Sequence, residues 1–203
     1  MTGIIAQNVG RTSGLIKAAS GGTGGVWTLI ETITASSDST IDFDSDIDST
    51  YPIYVFKCIN IHPETDNAEF HINFRDGSTA YDATKTTTYI KTRHAEDDSI
   101  ASIGYDDGND VAQGTGVQRL IENAGADNDQ CLSGTVQLFS PSDTTFVKHF
   151  ITDFSSSSGD NTSDHIQVAG YCNVTAAIDG VQFSFSADSI QSGTIKLYGL
   201  GDS

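Results

Sequence analysis

AEFHINFR, residues 68–75, alternates without a break: Phe70, Ile72 and Phe74 point one way, and Glu69, His71, Asn73 and Arg75 point the other. A period of two is the signature of a strand with one buried face, because successive side chains leave opposite sides of the pleat. The same texture continues on both sides. VWTLIETITA (26–35) and YPIYVFKCINIH (51–62) are rich in aromatic and β-branched residues, which suit a pleated, half-buried surface. CLSGTVQLF (131–139) places Leu132, Val136 and Leu138 inward, and FVKHFITDF (146–154) alternates Phe146, Phe150 and Phe154 with polar positions. HIQVAGYCNV (165–174), VQFSFS (181–186) and GTIKLYGL (193–200) complete the strong segments, with weaker ones near 39–43, 85–93 and 115–122.

The segments are separated by turn clusters such as DSDIDST, ETDN, RDGS, YDDGND, GADND, SPSD, SSSSGDN and IDG. No helical period longer than two turns interrupts them. The expectation is an all-β chain of ten or eleven strands, an antiparallel β-sandwich of the jelly-roll kind. Seven or eight strands would make the sandwich and the others would extend its edges. No fixed repeat supports a propeller or solenoid.

Length and charge narrow the function classes. The 203 residues suffice for one sizeable sandwich domain, taken as 26–203, preceded by a segment 1–25 of different character. Formal charge is −17, from 27 acids against 10 bases, and 22 of the acids are Asp. Asp favours turns over helix interiors, because its short carboxylate bonds nearby backbone N–H groups. So acidic a surface repels phosphate backbones and anionic lipids, so neither nucleic acid nor membrane is expected as a partner. No apolar run reaches the ~20 residues of a membrane span. MTGIIAQNVGRTSGLIKAASGG lacks the charged and apolar regions of a secretory signal.

Residues 1–25 contain Arg11 and Lys17, no acid, several glycines, and the scattered apolar residues Ile4, Ile5, Val9, Leu15 and Ile16. A slightly basic, partly apolar arm on an acidic body reads as a docking segment, with these seven side chains as its contacts. GGTGGV (21–26) lacks the Lys and Ser/Thr of a phosphate-binding loop, and reads as the hinge between arm and body.

Asp42, Asp44, Asp46 and Asp48 in IDFDSDIDST are weak calcium candidates. In an extended strand, alternate residues stand roughly 6.7 Å apart, too far for a shared ion whose ligands lie at about 2.3–2.6 Å, so a turn would have to gather them. An EF-hand loop starting at Asp44 would put Ser49 at the Gly position and Val55 at the Glu position, so that motif fails. Asp106, Asp107, Asn109 and Asp110 make a second, weaker acidic turn. His62, His71, His94, His149 and His165 show no paired zinc-ligand spacing. No nucleophile elbow or thiol-protease context is present, so no catalytic residue, metal or cofactor is nominated, and an enzyme is not expected. Cys58, Cys131 and Cys172 read as structural thiols, Cys172 as a core residue, with a disulfide between one pair left open. Asn161 and Asn173 match a glycosylation pattern by chance. Tyr81 and Tyr105 sit in stretches read as polar turns, where core packing explains them least, and are candidates for stacking on a sugar.

Five stretches, GRTSGLIKA (10–18), VWTLIETITASSDSTIDF (26–43), IDSTYPIYVFKCINIHPETDN (47–67), SGTVQLFSPSDTTFVKHF (133–150) and SGTIKLYGL (192–200), resemble, in collinear order, small virion structural proteins of marine tailed phages, especially those infecting cyanobacteria and abundant ocean bacteria. The resemblance implies a virion component built as a β-sandwich and carries no catalytic motif. It also implies synthesis and assembly in the host cytoplasm and a place on the virion surface. The leading expectation is a capsid decoration or head-fibre protein, docked through its arm on the major capsid protein and clustered as a trimer or similar homo-oligomer. The alternative is a tail-fibre or receptor-binding module, joined to a tail adaptor and holding host polysaccharide through loops around 76–110. A polysaccharide depolymerase is the third class, with no residue to name for it.

Overall fold

In the computed structural model, which describes residues 27–201, the chain forms twelve strands and no helix. They are β1 (Trp27–Thr34), β2 (Thr40–Phe43), β3 (Ile53–Pro63), β4 (Ala68–Arg75), β5 (Lys85–Ala95), β6 (Ala101–Tyr105), β7 (Gln118–Ala124), β8 (Leu132–Phe139), β9 (Lys148–Ser157), β10 (Thr162–Cys172), β11 (Gly180–Phe185) and β12 (Ile190–Leu200). Every pairing is antiparallel. One sheet has eight strands in the order β1-β12-β3-β8-β9-β10-β5-β6, and the other has four in the order β2-β11-β4-β7.

The pairs β1·β12, β2·β11, β3·β8 and β4·β7 are nested. They are the rungs of one long antiparallel hairpin rolled up so that alternate pairs fall in opposite sheets, which is a jelly roll. Two hairpins interrupt it: β5–β6 between β4 and β7, and β9–β10 between β8 and β11. Both attach to the same sheet beyond β8, doubling its width. The edge additions expected from the strand count are therefore four strands on one side of a complete eight-stranded roll.

The core is the space between the sheets. Phe43, Phe56, Phe70 and Phe183, contributed by β2, β3, β4 and β11, meet at ring separations of 5.2–6.3 Å, three of the contacts edge-to-face and the Phe70–Phe183 pair stacked. Phe154 and Phe150 on β9 reach across to Phe70 and Phe74 on β4. Phe70, Ile72 and Phe74 are fully buried, as the alternation in 68–75 requires. The opposite face of β4 is not solvated as its composition implies. His71 and Asn73 are buried too, because the β6–β7 connection crosses over them, with Asn73 Nδ2 donating to the Thr115 carbonyl at 3.3 Å.

The four-stranded sheet is too narrow to cover its partner. Beyond β10 the inward positions turn polar: Lys85, Thr87, Lys91 and Arg93 on β5 share the inward side with buried Tyr89. Phe146, expected inward with Phe150 and Phe154, is instead 70% exposed. A turn closed by Phe146 N–H donating to Asp143 Oδ1 ends the strand pattern before it. Lys148 takes the buried position there, its ammonium donating to the carbonyls of Asp143, Phe146 and Val174 at 3.1, 3.2 and 2.7 Å. Cys172 is buried in the core as expected, and all three cysteines are free thiols, so no pair is bridged. Burial pushes the Cys172 thiol up to about 12, which keeps it protonated and inert.

The first strand starts at Trp27, so Ile4, Ile5, Val9, Arg11, Leu15, Ile16 and Lys17 of the expected docking arm lie outside the described residues.

Candidate functional site

Where the narrow sheet stops, β5, β10 and β7 bring together the densest group of charged side chains among the described residues. Period-two alternation aims Lys91 and Arg93 of β5 inward, and the β5–β10 register sets Arg93 directly opposite Asp164. Arg93 grips that carboxylate with Nε at 3.0 and 3.3 Å and Nη2 at 3.0 Å, a fork-to-fork pair. Asp164 is 1% exposed and takes a further hydrogen bond from Thr162 Oγ1 at 2.7 Å. Glu122 of β7 closes the gap from the other sheet, ion-paired with Lys91 and 3.9 Å from Arg93. Asp160 lies 3.6 Å from Arg93 at the rim. Burial lowers the Lys91 ammonium below its ordinary value, while the bonds to Asp164 raise the Arg93 guanidinium. Each cation faces more than one carboxylate, so the group is a tie between sheets whose charges are already matched.

Above this tie, a depression of about 390 Å³ opens between β5 and β6, lined by Lys91, Arg93, Ile103, Tyr105, Asp106 and Asp107 among others. Tyr105 is not in a turn. It ends β6, a strand that the sequence reading did not include, and its ring is 56% exposed. Its hydroxyl donates to Asp110, which raises the phenol above its usual range. The acidic turn after it closes on itself: Asp106 accepts from the Gly108 N–H at 3.0 Å and from Asn109 Nδ2 at 2.8 Å, and Asn109 also reaches Glu122 at 2.8 Å. Tyr81 lies elsewhere, before β5 and under the Arg75 guanidinium, 5.8 Å from its ring centre. It does not line the Tyr105 depression, so the two tyrosines do not form one sugar-stacking platform.

The four aspartates of 42–48 are dispersed rather than gathered. Asp42 accepts from Gln182 Nε2 at 2.8 Å across the β2–β11 pair, and Asp46 from Ser45 Oγ at 3.3 Å. Asp44 offers its backbone carbonyl to Arg75 at 2.9 Å. Asp48 caps its own turn, accepting from the Thr50 N–H at 2.7 Å and the Tyr54 hydroxyl at 2.9 Å, which holds its carboxyl below the usual range. Among the described residues no three His, Cys, Asp or Glu side chains are placed to hold a metal ion. The carboxylates fail to converge because each is committed to a different local turn or cross-strand bond.

Sequence reasoning missed the Lys91–Arg93–Glu122–Asp164 group entirely. Its members come from three separated segments, and only the K-T-R alternation in β5 hinted that two cations share a face. The chain matches no protein-family model, and no curated protein matches it.

Proposed function

We propose that this chain is a structural component of a tailed-phage virion, a capsid-decorating or head-fibre protein docked on the major capsid protein through residues 1–25. The observation that carries the reading is where the phage-like stretches fall in the fold. Four of the five, scattered along the sequence, map to β1, β2, β3, β8, the start of β9, and β12, and the fifth, 10–18, lies outside the described residues. All but β2 are consecutive neighbours in the wide sheet, in the order β1-β12-β3-β8-β9. The likeness to virion proteins thus gathers into one continuous block, with the strand that follows the arm at its edge. A jelly roll whose densest charged group, Lys91, Arg93, Glu122 and Asp164, is spent on tying its two sheets together suits a particle component better than a catalyst. Assembly would take place in the host cytoplasm, with the acidic body facing the medium on the virion surface.

Tyr105 supports a second reading, a tail-fibre module that holds host polysaccharide. An exposed aromatic ring beside a polar depression is a surface on which a sugar could stack.

Deleting residues 1–25 tests the first reading, since it leaves all twelve described strands intact. The truncated protein is expected to fold, with an unchanged far-UV circular dichroism spectrum, and to be absent from purified particles. Incorporation at the normal level would refute arm docking. Tight binding of host glycan, lost on Tyr105→Ala, would favour the tail reading.

A further inference from the structure

The outer face of the wide sheet differs from the rest of the molecule in both charge and apolarity. Among the strand residues that the register places on this face, Asp153 is the only acid, against Lys57 and Lys196, although the protein as a whole carries −17. The same face exposes Trp27 and Leu29 at one end, Ile151 in the middle, and Ile90, Ile103 and Tyr105 at the other. An acid-poor apolar sheet on an otherwise acidic surface marks an interaction site.

Its relief is matched to itself. On one side of β8, the Trp27 and Tyr198 rings pack edge-to-face at 5.8 Å, with the Lys57 ammonium 4.5 Å from the Trp27 ring, and make a bulky aromatic block. On the other side, a depression of about 410 Å³ lies over Ala169 and Gly170, walled by Thr86, Thr88, His149 and Tyr171. The outward residue at its floor, Ala169, is small. Gly170 alternates with it and faces inward, where a Cβ would come within 2.6 Å of Thr87 Cγ2 and 2.7 Å of the Thr86 carbonyl.

Block and depression are equidistant from β8. One cross-strand row reads Tyr198, Val55, Gln137, Ile151, Ala169, and the next reads Lys196, Lys57, Thr135, Asp153, Gln167. Turning a second copy about an axis along β8 sets Tyr198 over Ala169 of the other copy and Lys57 over its Asp153, each twice. The aligned packing of twisted sheets accommodates this. Seven strands overlap, about 29 Å across at roughly 4.8 Å spacing, by about 27 Å along the strands. That is roughly 800 Å² per protomer, the size of a standard stable interface.

We propose that this face is a homodimer interface: two copies pack sheet against sheet about a two-fold axis along β8, with the Trp27–Tyr198 block of each seated in the Ala169–Gly170 depression of the other. The pairing is isologous and closed, so it covers the face from β1 to β5 without leading to fibres, and leaves β6 with Ile103 and Tyr105 at the rim. It is one form of the homo-oligomer expected from the sequence, a dimer rather than a trimer.

Sedimentation equilibrium of the full-length protein at roughly 10 μM and about 0.15 M salt tests it. The expected result is a dimer. Ala169→Glu, at an exposed position that the fold does not need, is expected to give a folded monomer with unchanged circular dichroism. Its Trp27 fluorescence, from the single tryptophan, should be red-shifted as the ring returns to water. Lys57→Asp and Asp153→Lys should each weaken the dimer by tenfold or more, and combining them should restore it, an outcome particular to the facing pair. A monomeric wild type, a trimer, or a dimer indifferent to Ala169→Glu would overturn the proposal. A monomer whose incorporation into particles fails on Ala169→Glu would assign the face to another virion protein.

Discussion

Asp164→Asn keeps the size of a fully buried side chain and removes only its charge. In the native protein that carboxylate accepts three hydrogen-bond contacts from Arg93 and one from Thr162, at 2.7–3.3 Å, and lies 3.7 Å from Lys91. The amide can still accept on one oxygen, but its NH2 group then faces the Arg93 fork, donor against donor. Breaking a buried pair by neutralising one partner costs about 3–5 kcal/mol, because the remaining charge stays desolvated. Here Glu122 and Asp160 remain within 3.9 and 3.6 Å of Arg93 and offset part of that, so the lower end, about 3 kcal/mol, is expected. For a domain of this size that is a fall in Tm of roughly 6–12 °C. Urea unfolding followed by far-UV circular dichroism would show a lower midpoint with an unchanged slope. The joint variant Arg93→Met with Asp164→Leu, which leaves no orphaned charge on either strand, should lose less than Asp164→Asn alone. A loss below about 1 kcal/mol for the single variant would refute the reasoning, since that is the value of a solvent-screened surface pair.

Lys85 is fully buried with its ammonium 2.6 Å from the Gly116 carbonyl, and burial lowers it from 10.5 to about 8. Between those values the unfolded chain holds a proton that the folded one lacks. This group's contribution to stability therefore rises with pH from about 8 to 10.5, by up to about 3 kcal/mol for a shift of 10.5 − 8 = 2.5. The stability difference between Lys85→Met and wild type should move by that amount in favour of wild type across the window, and parallel pH curves would contradict it. Gly134→Ala on β8 would drive a Cβ into the Asp153 carbonyl oxygen and the Phe154 ring, neither of which can swing aside cheaply. It should destabilise by about 1–3 kcal/mol in the same urea assay, and a neutral substitution would show that β8 and β9 separate more freely than their register implies.

The eleven segments read from the sequence all became strands, most because their buried face repeats large apolar residues at a spacing of two, and β5 on its β-branched and aromatic content alone, since its inward side carries Lys85, Thr87, Lys91 and Arg93 beside Tyr89. Strand β6 escaped because Ala101–Tyr105 has only two large apolar residues, Ile103 and Tyr105, and both point to the outer face. Its burial pattern is exposed throughout, so no core periodicity marks it. Lys85 and Lys148 carried no signal of burial in the sequence, since a lysine is rarely enclosed. They are inward because the narrow sheet leaves backbone carbonyls, not apolar side chains, opposite them. That the inserted hairpins widen one sheet was not legible at all, since the β5–β10 pairing joins residues about 75 positions apart by register rather than by a turn. The same holds for the outer face. Its acid-poor character emerges only when the register sorts inward Asp164 and Glu31 from outward Asp153.

The most direct test of a place on the virion is immunogold labelling of intact particles with antibody raised against the described body, residues 27–201. Label distributed over the head is the predicted result and directs attention to the contact between arm and capsid. Label confined to the tail, or purified particles that contain no copy of the protein, would contradict it.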